Sequence, residues 1–491
     1  MQRLSPLLAH PLYDTAATRL IEQAAARALP PHSLMQRAGL AVARLALAVA
    51  PHARQIWIAC GPGNNGGDGL EAAMHLHQAG KPVVASWLGD AARAPADALA
   101  SLRRAQAAGV PITAHAPSEW DLAIDALLGI GAKSAPQGTM ADWISRMNRS
   151  AAPVLAVDLP SGLQADTGQF ATTSGAESPD SERVSARWTL SLLTLKPGLF
   201  TAGGRDCTGE VWLDTLGVDA TAFTGRPSAC LQGAPAQAAR LHASHKGSYG
   251  DVAVLGGAPG MTGAALLAAT AALHGGAGRV FVGLLDGGTL AVDALQPELM
   301  FRPVATLDLQ AMTVVCGCGG GTVVGGLLPR VLAQAPSLVL DADALNAIAA
   351  SPTLQGQLGR RQQEGRATVL TPHPLEAARL LGMGAAAVQA DRVAAAQGLA
   401  DRLGCVVVLK GSGTVIACPG TVPVINPTGN ARLASAGTGD VLAGLIGARL
   451  AAGLPAPQAA AEAAYRHGAV ADAWPESTAL SAGRLARALR L

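Results

Sequence analysis

Twice over, this chain alternates short apolar runs with Ala-rich helical stretches, a pattern that few folds other than parallel sheets with crossover helices satisfy. A strand covered on both faces is apolar at nearly every position, and its parallel neighbour can be reached only through a long connection. The first block opens with helical segments 12–28 and 34–49 and offers strands at 56–60, 83–88, 122–127, 154–157 and 188–193. The second offers strands at 251–255, 279–284, 313–316, 338–340, 368–370 and 406–409, after a change of character between about 217 and 246. The expected architecture is α/β, with two three-layer domains at 1–222 and 223–491, because 491 residues exceed one ordinary core. Residues 171–187, rich in Ser, Thr, Glu and Asp, read as an exposed loop in the first domain.

With 49% hydrophobic and only 14% charged residues, a membrane protein has to be considered. The longest uncharged stretch, 252–278, is interrupted by Gly256-Gly257-Ala258-Pro259-Gly260 and ends near Gly275-Gly276, so it reads as strand, glycine turn and buried helix. Pro6, His10, Asp14 and Arg19 interrupt any apolar leader, and a cytoplasmic protein without membrane association is expected. Seven scattered cysteines argue against a disulfide framework, and the close pair Cys316-Gly-Cys318, lacking a second pair, reads as small buried residues. A net charge of +2 with 3% aromatics gives no basic stripe for nucleic acid. Small-molecule partners fit better.

Gly437-Thr-Gly439-Asp440 stands between the turn-rich Asn426-Pro-Thr-Gly-Asn430 and the apolar run Val441 to Ile446. It reads as a loop that opens a helix, aims backbone N–H groups at an anion and places one carboxylate to take a proton from a hydroxyl. In the first block, Gly61-Pro-Gly63-Asn64-Asn65-Gly66-Gly67-Asp68-Gly69 joins a strand to a helical stretch 70–78 and is suited to cradling a pyrophosphate. Asp125, in Asp125-Ala-Leu-Leu-Gly129-Ile130-Gly131, and Asp158, in Asp158-Leu-Pro-Ser161-Gly162, end later strands. Parallel strands would bring these sites to one sheet edge, whereas each aspartate taken alone suits helix capping or loop hydrogen bonding.

These loops resemble the signatures of NAD(P)H-hydrate epimerase. The second block is similar to the ADP-dependent NAD(P)H-hydrate dehydratase, through Lys246-Gly-Ser-Tyr-Gly250, Gly260-Met-Thr-Gly263, Gly317-Cys-Gly319-Gly-Gly321, Asp341-Ala-Asp343, Thr371-Pro-His373-Pro-Leu-Glu376, Lys410-Gly-Ser-Gly-Thr414 and Gly437-Thr-Gly-Asp440. The resemblance covers nearly the whole chain, in the domain order of the bifunctional repair family. It implies a Rossmann-like first domain, a ribokinase-like second one and a homo-oligomer, a tetramer being one form. It also implies that Asn64, Asn65, Gly66, Gly67 and Asp68, with Gly129, Ile130, Gly131, Ala132, Lys133, Ser134 and Ala135, hold hydrated NADH or NADPH, with Asp158 near the ring. Asn65, Asp125 and Ser161 would bind K+. Ala265, Gly319 and His373 would contact the S-hydrate; Lys410, Gly411, Ser412, Gly413, Thr414 and Gly439 would bind ADP, with Mg2+; Asp440 would activate the hydroxyl.

Epimerisation requires proton transfers, for which Asp158 and Lys196 are acid/base candidates; a lysine ahead of a Pro-Gly turn otherwise reads as solvated surface. His373 suits either ligand contact or a loop hydrogen bond, and Glu376 suits a helix start. Leu375 and Ala436 depart from glycines usual in the family, and Gly131 to Pro136 depart more. An alternative reading is a vitamin or sugar kinase of the ribokinase-like class behind a non-catalytic nucleotide-binding module.

Overall fold

A computed structural model of the chain describes residues 1–132, 134–171, 183–222, 226–236 and 240–489. One compact unit contains Met1–Ser5 and His10–Ala229, the other Pro6–Ala9 and Cys230–Leu491. The first carries strands β1 (Gln2–Arg3), β2 (His10–Leu12), β3 (Ile56–Cys60), β4 (Val83–Trp87), β5 (Ile112–Thr113), β6 (Leu122–Ala126), β7 (Val154–Val157), β8 (Trp188–Leu192) and β9 (Glu210–Asp214). Its sheet runs β1-β9-β8-β7-β6-β3-β4-β5, parallel except for the edge strand β1. Alternation along β3 sends Ile56, Ile58 and Cys60 into one core and Trp57 and Ala59 into the other. Because β3 has β4 on one side and β6 on the other, the order reverses there, and the carboxyl ends of β3 and β6 flank a natural crevice.

The second sheet is built from β10 (Ala229–Leu231), β11 (Asp251–Gly256), β12 (Arg279–Leu284), β13 (Met300–Phe301), β14 (Thr313–Cys316), β15 (Ser337–Leu340), β16 (Ala367–Leu370), β17 (Val406–Leu409), β18 (Val415–Ala417) and β19 (Val424–Ile425). They run β13-β12-β11-β14-β15-β16-β17-β18-β19-β10. Val252, Val254, Val315 and Val339 face helices Thr262–His274, Thr438–Ala451 and Ala456–Asp472, while Ala253, Leu255, Val314 and Leu338 face the opposite layer. Each buried Val or Leu contributes about 1.5–3 kcal/mol relative to exposure, so the faces fix the register.

The eleven expected strands are found, whereas β1, β2, β5, β9, β10, β13, β18 and β19 are additional, and all but β9 are too brief for a periodic signal. Two expectations are corrected. The first helix begins at Thr15, capped by Asp14, because Leu12 belongs to β2. Residues 64–69 are not loop: helix Asn64–Gln78 already starts at Asn64, with extended Gly63 as its N-cap. Of the expected loop 171–187, residues 172–182 lie outside the described residues. Stretch 252–278 divides into strand, turn and helix Thr262–His274 as read, and among the described residues no helix is long and apolar enough to cross a membrane. All seven cysteines are free.

Candidate active sites

At the crevice of the first unit, three polar side chains from three elements meet. Asp125, at the end of β6, is fully buried; its carboxylate accepts from Ser161 Oγ at 2.6 Å, Ser161 N at 2.8 Å and Leu127 N at 3.2 Å. Asn65 donates Nδ2 to Leu128 O at 3.1 Å, which leaves its carbonyl oxygen for another partner, and Ser161 Oγ accepts from Leu128 N at 2.9 Å. Burial pushes the Asp125 carboxyl up to about 6 despite the hydrogen bonds that oppose the shift. The Asp125 carboxylate, the Ser161 hydroxyl and the Asn65 side-chain carbonyl are oxygens of the kind that a hard cation takes.

Beside this cluster a cavity of about 660 Å³ is lined by Asn64, Asn65, Asp68, Gly129 to Ala132, Asp158 and Lys196. Asp158 follows β7 at φ 69°, a left-handed conformation that an aspartate tolerates but that carries strain for most side chains. Its carboxylate accepts from Leu192 N at 3.1 Å and is ion-paired with Lys196. Lys196 is fully buried and donates also to Leu192 O at 2.8 Å and Ser191 Oγ at 3.3 Å. Across the cavity, burial and the fields of Asp158, Glu22 and Asp97 push the Asp68 carboxyl well above the usual range. The cavity thus offers a cation, a paired carboxylate and a carboxyl biased toward its neutral form, the set that acid/base work requires.

In the second unit, strand ends supply the chemistry. Cys318, Asp341, Thr371 and Lys410 follow β14, β15, β16 and β17, which the paired registers bring to one edge. Lys410 Nζ lies 2.7 Å from Asp341 Oδ1, which also accepts from Thr371 Oγ1 at 2.8 Å. Burial pulls the Lys410 ammonium down, and the fields of Asp341 and Glu376 outweigh it, leaving its pKa raised. Helix Thr438–Ala451 starts at Gly437, whose φ of 88° suits glycine, and directs its unpaired N–H groups to the same edge. A Cβ on Gly439 would stand 3.2 Å from Lys410 Nζ, so the ammonium and the helix start face one small space. Asp440, in the first turn, shares a cluster with Asp341 and Cys318 whose ligand atoms lie within 4.8 Å of one another. Burial first, and then the Asp341 charge, push the Asp440 carboxyl up to about 7.

Comparison with known proteins bears on both sites. A family model described as NAD(P)H-hydrate dehydratase matches residues 252–490, and one described as YjeF-related protein N-terminus matches 31–198. The Bifunctional NAD(P)H-hydrate repair enzyme Nnr of Escherichia coli (strain K12) is 37% identical over 459 residues, covering 90% of this chain and 85% of that protein. The chain belongs to the bifunctional NAD(P)H-hydrate repair enzyme family. The ADP-dependent (S)-NAD(P)H-hydrate dehydratase of Neisseria meningitidis serogroup B is 45% identical over 255 residues, covering 50% of this chain and 85% of that protein. Among solved structures, ADP/ATP-dependent NAD(P)H-hydrate dehydratase from Bacillus subtilis, co-crystallized with ATP/Mg2+, is 32% identical with a TM-score of 0.42, covering 50% of this chain and 90% of that one.

Within this family member the structure sorts the expected residues. Asn64, Asn65, Asp68, Gly129, Ile130, Gly131, Ala132 and Asp158 line one cavity. Gly66 and Gly67 do not line it: a Cβ on Gly66 would stand 2.0 Å from Gly61 O, and one on Gly67 2.6 Å from Met35 Sδ, so packing requires these glycines. Ser134 and Ala135 lie beyond the lining, and Lys133 is outside the described residues. The surface reading of Lys196 is corrected, because the chain turns it inward onto Asp158. Ala265 is fully buried in the core. His373 accepts from Leu375 N at 3.1 Å and Glu376 N at 3.3 Å, and Glu376 accepts from His373 N at 2.8 Å, a reciprocal cap. Leu375 sits in that helix's first turn with its side chain 46% exposed, a place that does not need glycine. Cys318, Asp341 and Thr371 also carry contacts at this edge; each stands in a motif that carries the resemblance but is given no role by it, and each lies just after an apolar strand.

Proposed function

We propose that this chain repairs hydrated NADH and NADPH: residues 1–222 interconvert the R and S epimers, and residues 223–491 dehydrate the S epimer with ADP, giving the reduced nucleotide, AMP and phosphate. The observation that carries this reading is the second unit's edge, where Lys410, the glycine-rich helix start and a carboxyl titrating at about 7 meet. The relatives are named for bifunctional NAD(P)H-hydrate repair and for ADP-dependent (S)-NAD(P)H-hydrate dehydration, which supports this reading.

In the dehydratase reading, Asp440 takes the proton of the substrate hydroxyl as its oxygen attacks the terminal phosphorus of ADP. The P–O bond to AMP breaks, Lys410 and the Gly439 N–H balance the charge that develops, and loss of phosphate with a ring proton restores the double bond. Gly411, Ser412, Gly413 and Thr414 hold the nucleotide beside Lys410. Arg392 supports this loop, donating to Leu409 O and Lys410 O at 3.2 Å each. Asp341 and Asp343 would offer hard oxygens to Mg2+, while the soft Cys318 thiol suits it poorly. Mg2+ there would neutralise phosphate charge. An Asp440 base must be ionised, so dehydratase kcat/KM is expected to fall tenfold per unit as pH drops below about 7. A flat profile between pH 6 and 8 would rule out Asp440 as the base.

In the epimerase reading, Asp158 and Lys196 exchange protons with the ring nitrogen and hydroxyl as the ring opens and recloses. Asn65, Asp125 and Ser161 would hold K+, which would neutralise Asp125 and steady the loop that begins at Leu128. Replacing K+ with choline is then expected to slow epimerisation about tenfold, a step of about 1.4 kcal/mol in the barrier, and Asp125→Asn is expected to erase the K+ dependence. Equal rates in both salts would remove the K+ assignment.

The decisive experiment follows recovery of reduced-nicotinamide absorbance from a mixture of R- and S-hydrated NADPH with ADP, Mg2+ and K+. Complete recovery supports both activities; a halt after the S fraction removes the epimerase. Absent ADP-dependent recovery, together with ATP-dependent phosphorylation of pyridoxal or a thiazole alcohol, would favour the kinase alternative.

A further inference from the structure

We propose that His467 is a positioning residue of the dehydratase, which polarises the Thr438–Gly439 peptide so that the Gly439 N–H binds the transferring phosphoryl group more strongly. The inference rests on the assignment of Gly437 to Asp440 to phosphoryl transfer. His467 is 7% exposed on helix Ala456–Asp472, and its Nε2 lies 2.9 Å from Thr438 O. A carbonyl oxygen only accepts, so Nε2 carries the proton. Burial pulls the ring down to about 4, and at neutral pH it is an uncharged imidazole in one fixed tautomer.

The Thr438 carbonyl and the Gly439 N–H belong to one peptide unit. Electron density drawn from the oxygen makes the N–H a stronger donor, as in any chain of hydrogen bonds in a low-dielectric setting. This bond is one of several that hold the segment 426–438. The same helix already holds the loop's other end: Asn426 Nδ2 donates to Ala464 O at 3.2 Å, Thr428 Oγ1 to Tyr465 O at 2.8 Å and Asn430 Nδ2 to Ala471 O at 2.9 Å. Gly429 N donates to Asp472 Oδ2 at 2.8 Å, and Gly468 is pressed so closely on Thr428 that a Cβ would stand 2.3 Å from its Oγ1. Thr438 Oγ1 is itself fixed by Leu433 O and Ser435 O at 2.8 and 2.9 Å. The buried imidazole is therefore placed to act on the peptide's electronics and aim.

The test uses the intact chain as wild type, His467→Leu, His467→Asn and His467→Gln, reading dehydratase kcat, KM for ADP and the Gly439 amide proton shift in 15N-labelled protein. His467→Leu is expected to move the Gly439 amide upfield and lower kcat about tenfold, a fraction of the 10²–10³ that outright loss of an anion-hole donor costs. His467→Asn, too short to reach Thr438 O, is expected to do the same should the leucine variant not fold. His467→Gln, which can still present a donor, is expected to recover kcat to within about threefold. An unmoved Gly439 amide in the leucine or asparagine variant, or unchanged kcat with only a lower Tm, would overturn the proposal. Absent ADP-dependent turnover by the wild type would instead overturn the functional reading, while the amide shift still reports on the peptide.

Discussion

Asp440→Asn is expected to lower ADP-dependent dehydration by about three orders of magnitude, within the 10²–10⁴ that a positioned general base contributes, while epimer exchange continues. Asparagine keeps the size and hydrogen-bonding shape of the side chain but cannot accept the hydroxyl proton. The loss should lie in kcat, with KM for ADP little changed, because in the proposed arrangement Lys410 and the helix start, not Asp440, bind the phosphates. Stability should move the other way. The Asp440 carboxyl titrates at about 7 in the folded chain, above its ordinary value, chiefly through burial and the Asp341 charge. The folded state therefore binds more protons than the unfolded one, and stability falls as pH rises from the ordinary carboxylate range through about 7. Asparagine removes that cost, so Asp440→Asn should have a higher Tm than the wild type at pH 8 and no advantage at pH 4. A variant that keeps a tenth of the wild-type kcat would remove Asp440 as the base.

Lys196→Met is expected to abolish epimerisation and to destabilise the first unit. Lys196 is fully buried and Asp158 nearly so, and removing one member of such a pair leaves the other charge desolvated, at a cost of about 3–5 kcal/mol. The double variant Lys196→Met/Asp158→Asn, which leaves no buried charge, should regain much of the stability and none of the activity. Dehydration of pure S-hydrate should be untouched in both. Thermal unfolding with an epimer-exchange assay separates the outcomes: a Lys196→Met protein with normal exchange would make the pair purely structural, and a double variant no more stable than the single would mean that the charges do not act as a pair.

How far these residues could be read from the sequence depended on whether their signal was local. Gly437 to Asp440 could be read because a glycine-rich helix start is contiguous, and the same holds for Asn64, Asn65 and Asp68, though their loop turned out to be the first turn of a helix. Asp125 and Ser161 could be paired only by resemblance, being 36 residues apart before β6 and β7 align them. Lys196 reads from the sequence either as an acid/base candidate or as solvated surface, because a Lys-Pro-Gly sequence is polar and turn-like and nothing local states that Asp158 lies against it. His467, alone on an Ala-rich helix, carried no signal at all.

What the sequence determined by itself was the fold class and where a helix opens: apolar runs of strand length at regular intervals dictate buried parallel sheets, and the glycines before Val441 to Ile446 mark the start of a helix. Only the tertiary structure decided which charges face one another. Parallel pairing puts Asp341, Thr371 and Lys410 within hydrogen-bond reach across separations of 30 and 69 residues. Burial then does what composition cannot, raising one carboxyl to about 7 and lowering one imidazole to about 4. The physical reason is that the interaction of two charges, and the cost of desolvating either, depend on distance and surroundings in space, and neither is a property of neighbours along the chain.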